Sequence, residues 1–390
     1  EWLYKEGLNS VTVNFSCDRD MLTELVLLQD GKLSPRTRTH KLQLGFYNTD
    51  SNNRMVLTAV QPLLINAGTT TVSGSPGQPC PEFIYPNQDD WAYIKFSPSA
   101  AELRFLSTEI NRFDDPLIRA MLWRNLREAA RDAQMPLTDY TNVVLAKIGD
   151  ENDPYILMQI LEELGYVLGY FYRFDMQNNS LANEYAGKFE DLIWKKINDF
   201  TDNSYLQSIW YDAYEGIVHT PAAQEKLIGL LSGEIVVPGL QIDQDRRWEL
   251  VKRLNLLGNE HAAELLLKEG EKDPSQQGQL SRIAAEAAYP DMENKKDWLA
   301  RIHSEDSDLT LAMVRSALSR LYPDTQISYR KSLLRDVLAH IPVIDRTRES
   351  QYVRAYTDLI KGYCNAESSL LLQNTIRQYP SVSLNIVKAL

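Results

Sequence analysis

Asp115-Pro116-Leu117-Ile118-Arg119-Ala120-Met121-Leu122-Trp123-Arg124-Asn125-Leu126, running on to Met135 and stopped by Pro136, is the stretch on which the reading of this 390-residue sequence turns. An acid ahead of a proline is a helix start, because the carboxylate can cap free N–H groups and proline fits the first turn. Leu117, Met121, Leu122 and Leu126 then form one apolar stripe at helical spacing. Upstream, the period is two. Val11, Val13 and Phe15 alternate with polar residues, as do Leu42, Leu44 and Phe46, and the stretch from Trp91 to Phe96 reads the same way. Turn-rich segments at Asn48 to Asn53 and Ser73 to Pro81 separate these runs.

Downstream the helical period persists to the end. Thr138 precedes a run to Ile148, Asp153-Pro154 opens a longer one to Phe174, and Asp243 precedes Trp248, Val251, Leu254 and Leu257. Further helices are expected at 281–288, 295–303, 309–321, 329–339 and 350–364, about fourteen in all at roughly 20 residues per helix and connection. The expected architecture is α+β and multidomain. Residues 1–97 form a small antiparallel β-sandwich, and 98–390 a large all-α superhelical bowl of the α-solenoid (HEAT/ARM-like) kind. No exact repeat is present, but successive hairpins can each bury an apolar face only on their neighbours.

Composition narrows the function. Lys and Arg number 41 against 53 Asp and Glu, a net charge of -12 that repels phosphate backbones, so no nucleic-acid partner is expected. Residues 1–99 carry 10 of the acids and 8 of the bases, which leaves most of the negative charge on the helical part. The longest apolar stretch, Leu164 to Tyr172, is far shorter than the roughly 18 residues of a membrane span, so no membrane partner is expected either. The sequence opens on Glu1 and shows no leader pattern, which suggests a piece of a longer or processed chain. Cys17, Cys80 and Cys364 are distant and odd in number, and are read as inert thiols in a reducing, cytoplasmic setting.

The search for chemistry is mostly negative. None of His40, His219, His261, His303 and His340 has a second histidine four residues on, and no HExxH, GxSxG, P-loop or GxGxxG occurs. Asn259-Glu260-His261-Ala262-Ala263-Glu264 is expected to be a solvated helix, and Cys364 a structural thiol rather than a nucleophile paired with His340. Carboxylate pairs such as Asp89-Asp90, Asp114-Asp115 and Glu162-Glu163 are what chance gives in a chain this acidic. Tyr166 and Tyr170, four apart, share a helix face that suits either core packing or a groove. Arg247, in Arg246-Arg247-Trp248, can pair locally with the acids before it or meet a peptide carboxylate.

Pro86-Asn87-Gln88-Asp89-Asp90-Trp91-Ala92-Tyr93, Asp114-Asp115-Pro116-Leu117, Ile242-Asp243-Gln244-Asp245-Arg246-Arg247-Trp248-Glu249-Leu250, and Pro290-Asp291 with Lys295, Lys296 and Trp298 together resemble the C-terminal half of zinc aminopeptidase N. The likeness is to the Streptomyces-type bacterial branch, whose helical domain is related to that of the endoplasmic reticulum aminopeptidases. It covers essentially the whole chain. Glu1-Trp2-Leu3 resembles the first residues after the family's catalytic domain, and Arg246 departs from the apolar residue expected in relatives.

The resemblance implies that the zinc-binding HExxH, the GxMEN loop and the transition-state tyrosine lie in a preceding catalytic domain, so no catalytic residue and no metal ligand is assigned here. The implied role is noncatalytic: to enclose the active-site cavity and limit access, with that catalytic domain and peptides as partners, zinc in the missing domain, and no cofactor in this chain. Tyr166, Tyr170 and Arg247 are the candidate substrate contacts. The alternative is a freestanding helical-repeat scaffold that binds a protein on its concave face.

Overall fold

A computed structural model describes residues 7–30, 37–73, 77–174, 180–360 and 365–390. Small, mostly antiparallel sheets come first and helices follow, in two compact units, Glu1–Leu161 and Glu162–Leu390.

In the first unit, β1 (Ser10–Asp18) and β2 (Met21–Asp30) form a hairpin closed by Arg19 and Asp20, both at positive φ, as a two-residue primed turn requires. β3 (His40–Thr49) and β4 (Met55–Ile65) form a second hairpin, bulged between Phe46 and Tyr47. β5 (Thr69–Thr71) pairs with β2, β6 (Phe83–Tyr85) with β3, and β7 (Lys95–Phe96) with β1 in parallel. The sheets are thus ordered β5-β2-β1-β7 and β4-β3-β6.

Rings from both sheets meet in the core: Phe96 lies 5.3 Å from Tyr85 and 6.3 Å from Phe83. The change from strand to helix falls between Phe96 and the first helix, α1 (Ala100–Glu109). Packing continues across it, because Phe105 stacks on Phe83 at 5.7 Å and Phe113 meets Tyr47 at 5.3 Å.

Of the alternating stretch Trp91 to Phe96 only Lys95–Phe96 is a strand, and Pro86 to Tyr93 ahead of it is a tight turn and loop. Asp89 and Asp90 take positive φ, Asn87 ties itself to Ala92 through both amide atoms, and Trp91 and Tyr93 stay exposed. Gln88 is buried and accepts a hydrogen bond from Tyr47 at 2.5 Å. Gly45 makes the room, since a Cβ there would sit 2.4 Å from Gln88 Oε1.

The cysteine expectation is corrected here. Cys17 and Cys80 form a disulfide, with Cα atoms 5.9 Å apart. The segment before β6 runs beside the start of β2, with Leu22 N–H bonding to Gln78 O and Cys80 N–H to Asp20 O, so a sequence separation of 63 becomes a contact. The odd count concealed a pair plus one, and Cys364 lies outside the described residues.

α2 (Pro116–Arg131) is capped by Asp115, whose side chain accepts from Leu117 N–H. Of the expected stripe Met121, Leu122 and Leu126 are buried, while Leu117 is exposed and Ile118 takes its place in the core. It ends before Pro136 is reached, at Ala133 with φ 56°, where Gln134 N–H closes back on Ala129 O. α3 (Leu137–Lys147) follows Pro136 directly, so Thr138 is inside the helix rather than its cap. α4 (Pro154–Phe174) has the predicted bounds.

The second unit is helical. It contains α5 (Ser180–Asp199), α6 (Ser204–Ile217), α7 (Pro221–Ser232), α8 (Gln244–Leu256), α9 (Ala262–Lys272), α10 (Gln276–Ala288), α11 (Met292–His303), α12 (Leu311–Leu321), α13 (Ile327–Thr347), α14 (Ser350–Tyr356), α15 (Ala366–Gln378) and α16 (Leu384–Ala389). Side-chain caps recur, with Asn203, Thr220, Asp243, Ser275, Asp291, Thr310 and Asn365 each accepting from a first-turn N–H. α8, α10, α12 and α14 pack in succession and α11 packs on α13, a solenoid-like order. One apolar core runs through α11 to α14 and α16, including Trp298, Ile302, Leu321, Leu334, Ile341 and Tyr356.

Candidate functional site

Tyr166, Tyr170 and Phe174 stand four residues apart on α4, so one face carries all three rings. The opposite face is core, where Val167, Leu168, Phe171 and Tyr172 are buried and Phe171 stacks on Tyr185 at 5.2 Å. The three outward rings are 61%, 37% and 60% exposed. Tyr170 and Phe174 are 4.4 Å apart, and the Arg173 guanidinium lies 5.7 Å from the centroids of both Tyr166 and Tyr170. Arg173 also pairs with Asp324 at 3.7 Å, and Gly169 permits that approach, since a Cβ there would sit 2.6 Å from the carboxylate. The ridge offers flat apolar area with a cation at its edge, suited to an extended peptide's side chains and carbonyls.

The sequence singles out the two tyrosines of this ridge but not Phe174, Arg173 or Asp324. Phe174 merely continues the spacing by four and was legible. Asp324 comes from a distant segment and was not.

A buried polar group lies beneath the helix ends of the same unit. Glu190 on α5 accepts from His219 N–H at 2.6 Å, Thr220 N–H at 2.9 Å and the Thr220 hydroxyl, and so holds the start of α7. The His219 ring packs 4.9 Å from Tyr172, and burial, then the Arg253 charge, lowers its pKa. Arg253 spends its Nε–H on Val218 O at 2.7 Å. Burial, then repulsion from Glu249, pushes the Glu215 carboxyl up to about 7, although Arg253, Arg320 and Lys252 pull it down. Glu249 is itself engaged by Lys252 at 2.8 Å and Arg320 at 3.1 Å.

The third candidate, Arg247, sits on α8 among local partners. Its Nε and Nη2 donate to Glu269 on α9 at 2.9 and 2.6 Å, and Nη1 to Leu231 O at the end of α7 at 2.8 Å. Gln244 adds a bond to Glu269 at 2.7 Å, and Trp248, buried, donates to Asp273 at 2.8 Å. The stretch 243–248 is thus a joint between α7, α8, α9 and the segment before α10.

His261, just ahead of α9, is half-exposed and 3.8 Å from Glu260, without the second histidine that a zinc helix needs. This chain therefore does not form the HExxH site. Among the described residues, one His and carboxylate group could hold a cation: His303, Asp336 and His340, with one ligand atom from each lying within 4.8 Å of the others. Burial, then the neighbouring His340, lowers the His303 pKa to about 4, so its imidazole is neutral near pH 7.

Small paired sheets followed by helices packed in succession make a fold that aminopeptidases share. The chain belongs to the ERAP1-like C-terminal domain family, whose model matches residues 83–378. It is 24% identical over 314 residues to aminopeptidase N of Streptomyces lividans, a match that takes 78% of this chain and 36% of that protein. In fold it is similar to aminopeptidase A of Legionella pneumophila, solved in complex with aspartic acid, with a TM-score of 0.55 and 13% identity over 98% of this chain and 48% of that one. The chain thus spans less than half the length of these relatives.

Proposed function

We propose that this chain is the C-terminal, noncatalytic portion of a zinc metallo-aminopeptidase that releases N-terminal amino acids from peptides. On this reading residues 1–97 are the sandwich and 98–390 the helical region, which walls the active-site cavity and limits entry. The partners are the catalytic domain and the peptide. The zinc and its ligands belong to that domain.

The observation that carries the reading is the unequal coverage: most of this chain matches a minority of an aminopeptidase N, while the sequence holds no HExxH. In such a protein the groups that make and break bonds lie outside residues 1–390. Tyr166 and Tyr170, with Phe174, are the proposed peptide contacts. Arg247, engaged by Glu269, contributes by ordering the α7–α9 joint.

No described helix is long and apolar enough to cross a membrane. The cytoplasmic expectation drew on few cysteines and the absence of a targeting signal, and the Cys17–Cys80 disulfide instead favours an oxidising compartment.

Aminoacyl chromogenic substrates test the reading, assayed with and without zinc on this chain alone and on the same chain joined to an HExxH-bearing catalytic domain. Turnover only in the joined protein is expected, and zinc-dependent turnover by this chain alone overturns the proposal. In the joined protein, Tyr166→Ala with Tyr170→Ala should lower kcat/KM for long peptides by about 3- to 10-fold and leave small chromogenic substrates unchanged.

A further inference from the structure

We infer that His303, Asp336 and His340 form a site for a divalent first-row transition cation of the zinc class, joining α11 to α13. The inference does not rest on the aminopeptidase reading.

Asp336 and His340 are one turn apart on α13 and present to the same side, while His303 closes α11. His303 Nδ1 lies 3.7 Å from one Asp336 oxygen, and His340 Nδ1 lies 3.4 Å from the other. Zinc bonds of about 2.0–2.2 Å at tetrahedral angles place neighbouring ligand atoms roughly 3.3–3.5 Å apart, and one ligand atom from each of the three residues lies within 4.8 Å of the others, so small side-chain turns bring the group to that spacing.

The hydrogen bonds fix the lone pairs. Tyr356 Oη donates its only proton to Val337 O at 2.8 Å, so at 2.9 Å it can only accept from His303 Nε2–H. His303 Nδ1 is then bare and faces a carboxylate, two acceptors with no proton between them. A cation between them removes that conflict. His340 places Nδ1 2.9 Å from Asp336 O, a carbonyl that only accepts, so Nδ1 carries the proton and Nε2 keeps its lone pair. Each imidazole thus has one nitrogen already oriented by an outer oxygen, the arrangement that metal-binding histidines show.

The rings stack at 3.7 Å, so one imidazole turns when both lone pairs meet one ion, and they line a cavity of about 370 Å³ with Lys296, Ala300 and Ser304 that leaves room for that turn and for a solvent fourth ligand. Lys296 is paired with Glu293 at 2.8 Å. Two imidazoles and one carboxylate favour Zn²⁺, Co²⁺ or Ni²⁺ over Mg²⁺ or Ca²⁺.

Co²⁺ and Zn²⁺ titrations of the 390-residue chain test the site, read by the visible d–d absorption of Co²⁺ and by the Zn²⁺ retained after dialysis. One equivalent is expected, with a melting temperature raised by about 5 °C or more at a hundredfold excess over Kd. Asp336→Asn and His340→Gln, both at accessible positions, should each weaken binding by about tenfold or more and abolish the thermal shift while the metal-free melting temperature holds. Absence of Co²⁺ absorption and retained Zn²⁺, or binding that both variants leave unchanged, overturns the assignment.

Discussion

Arg247 grips Glu269 through two parallel hydrogen bonds, Nε to Oε1 at 2.9 Å and Nη2 to Oε2 at 2.6 Å, between α8 and α9. The carboxylate is buried and also takes the Gln244 amide. Burial alone would raise its pKa, and the bonds from Arg247 and Gln244 together with the Arg247 charge outweigh that and hold it below the ordinary range. The sequence left Arg247 open to local pairing or to a peptide carboxylate, and its fork is engaged here by Glu269 as the clamp of a helix joint.

Removing one partner should therefore cost more than removing both. Arg247→Ala is expected to destabilise by about 3–5 kcal/mol, because a buried carboxylate keeps only the Gln244 amide and loses its countercharge, and Arg247→Lys should recover only part of that, since a lysine cannot form the two-bond fork. Arg247→Met with Glu269→Leu should lie closer to the parent. Urea midpoints across the set decide the matter, and equal losses for the single and double changes would refute it.

Glu215 predicts a loss of stability toward alkaline pH. Its native pKa, about 7, lies above the unfolded value, so its contribution is fully present below the usual carboxylate pKa of about 4.3 and disappears as pH rises through about 7. Glu215→Gln should melt higher than the parent at pH 8.5, by roughly 1–3 kcal/mol after solvent screening, with a smaller difference at pH 5.5. A pH-independent difference would show that the carboxyl does not titrate in this way.

Ala133 ends α2 in the left-handed region at φ 56°, exposed. A side chain there costs about 1 kcal/mol that glycine avoids. Ala133→Gly is expected to raise stability by about 0.5–1 kcal/mol, less the added freedom of the unfolded chain, while Ala133→Val should lower it. Thermal melts of the two variants provide the check.

The disulfide predicts a reductant-sensitive first unit. Cys17→Ser or Cys80→Ser should lower stability by about 2–4 kcal/mol, and reductant should lower the parent's melting temperature but not that of either variant. Thiol titration of the denatured, unreduced chain gives an independent count.

Asp115-Pro116, Asp153-Pro154 and Asp243 were legible as helix starts because a cap is a local bond, made within three residues of the aspartate. Thr220-Pro221 carries the same signature and starts α7 in the same manner. The β-strands at Val11 and Leu42 were legible by alternation, whereas in the alternating stretch Trp91 to Phe96 only Lys95–Phe96 is a strand, with Ile94 and Phe96 buried and Trp91 and Tyr93 exposed.

The disulfide was not legible, because only folding brings the two cysteines together. The His303 group lay half in view. Asp336 and His340 show helical spacing, but their third member belongs to another helix, beyond the reach of any search for two histidines four apart.

The bond between Cys17 and Cys80 also fixes what a single cut can achieve. It closes a covalent ring around β2, β3, β4 and β5, so cleavage at any one peptide bond within that ring opens the loop without releasing a fragment. On a non-reducing gel the nicked chain runs as one species of unchanged mass, and only reduction reveals two pieces. A protease that finds the exposed turn at Asp50 to Asn53 would thus mark the molecule without dismantling it.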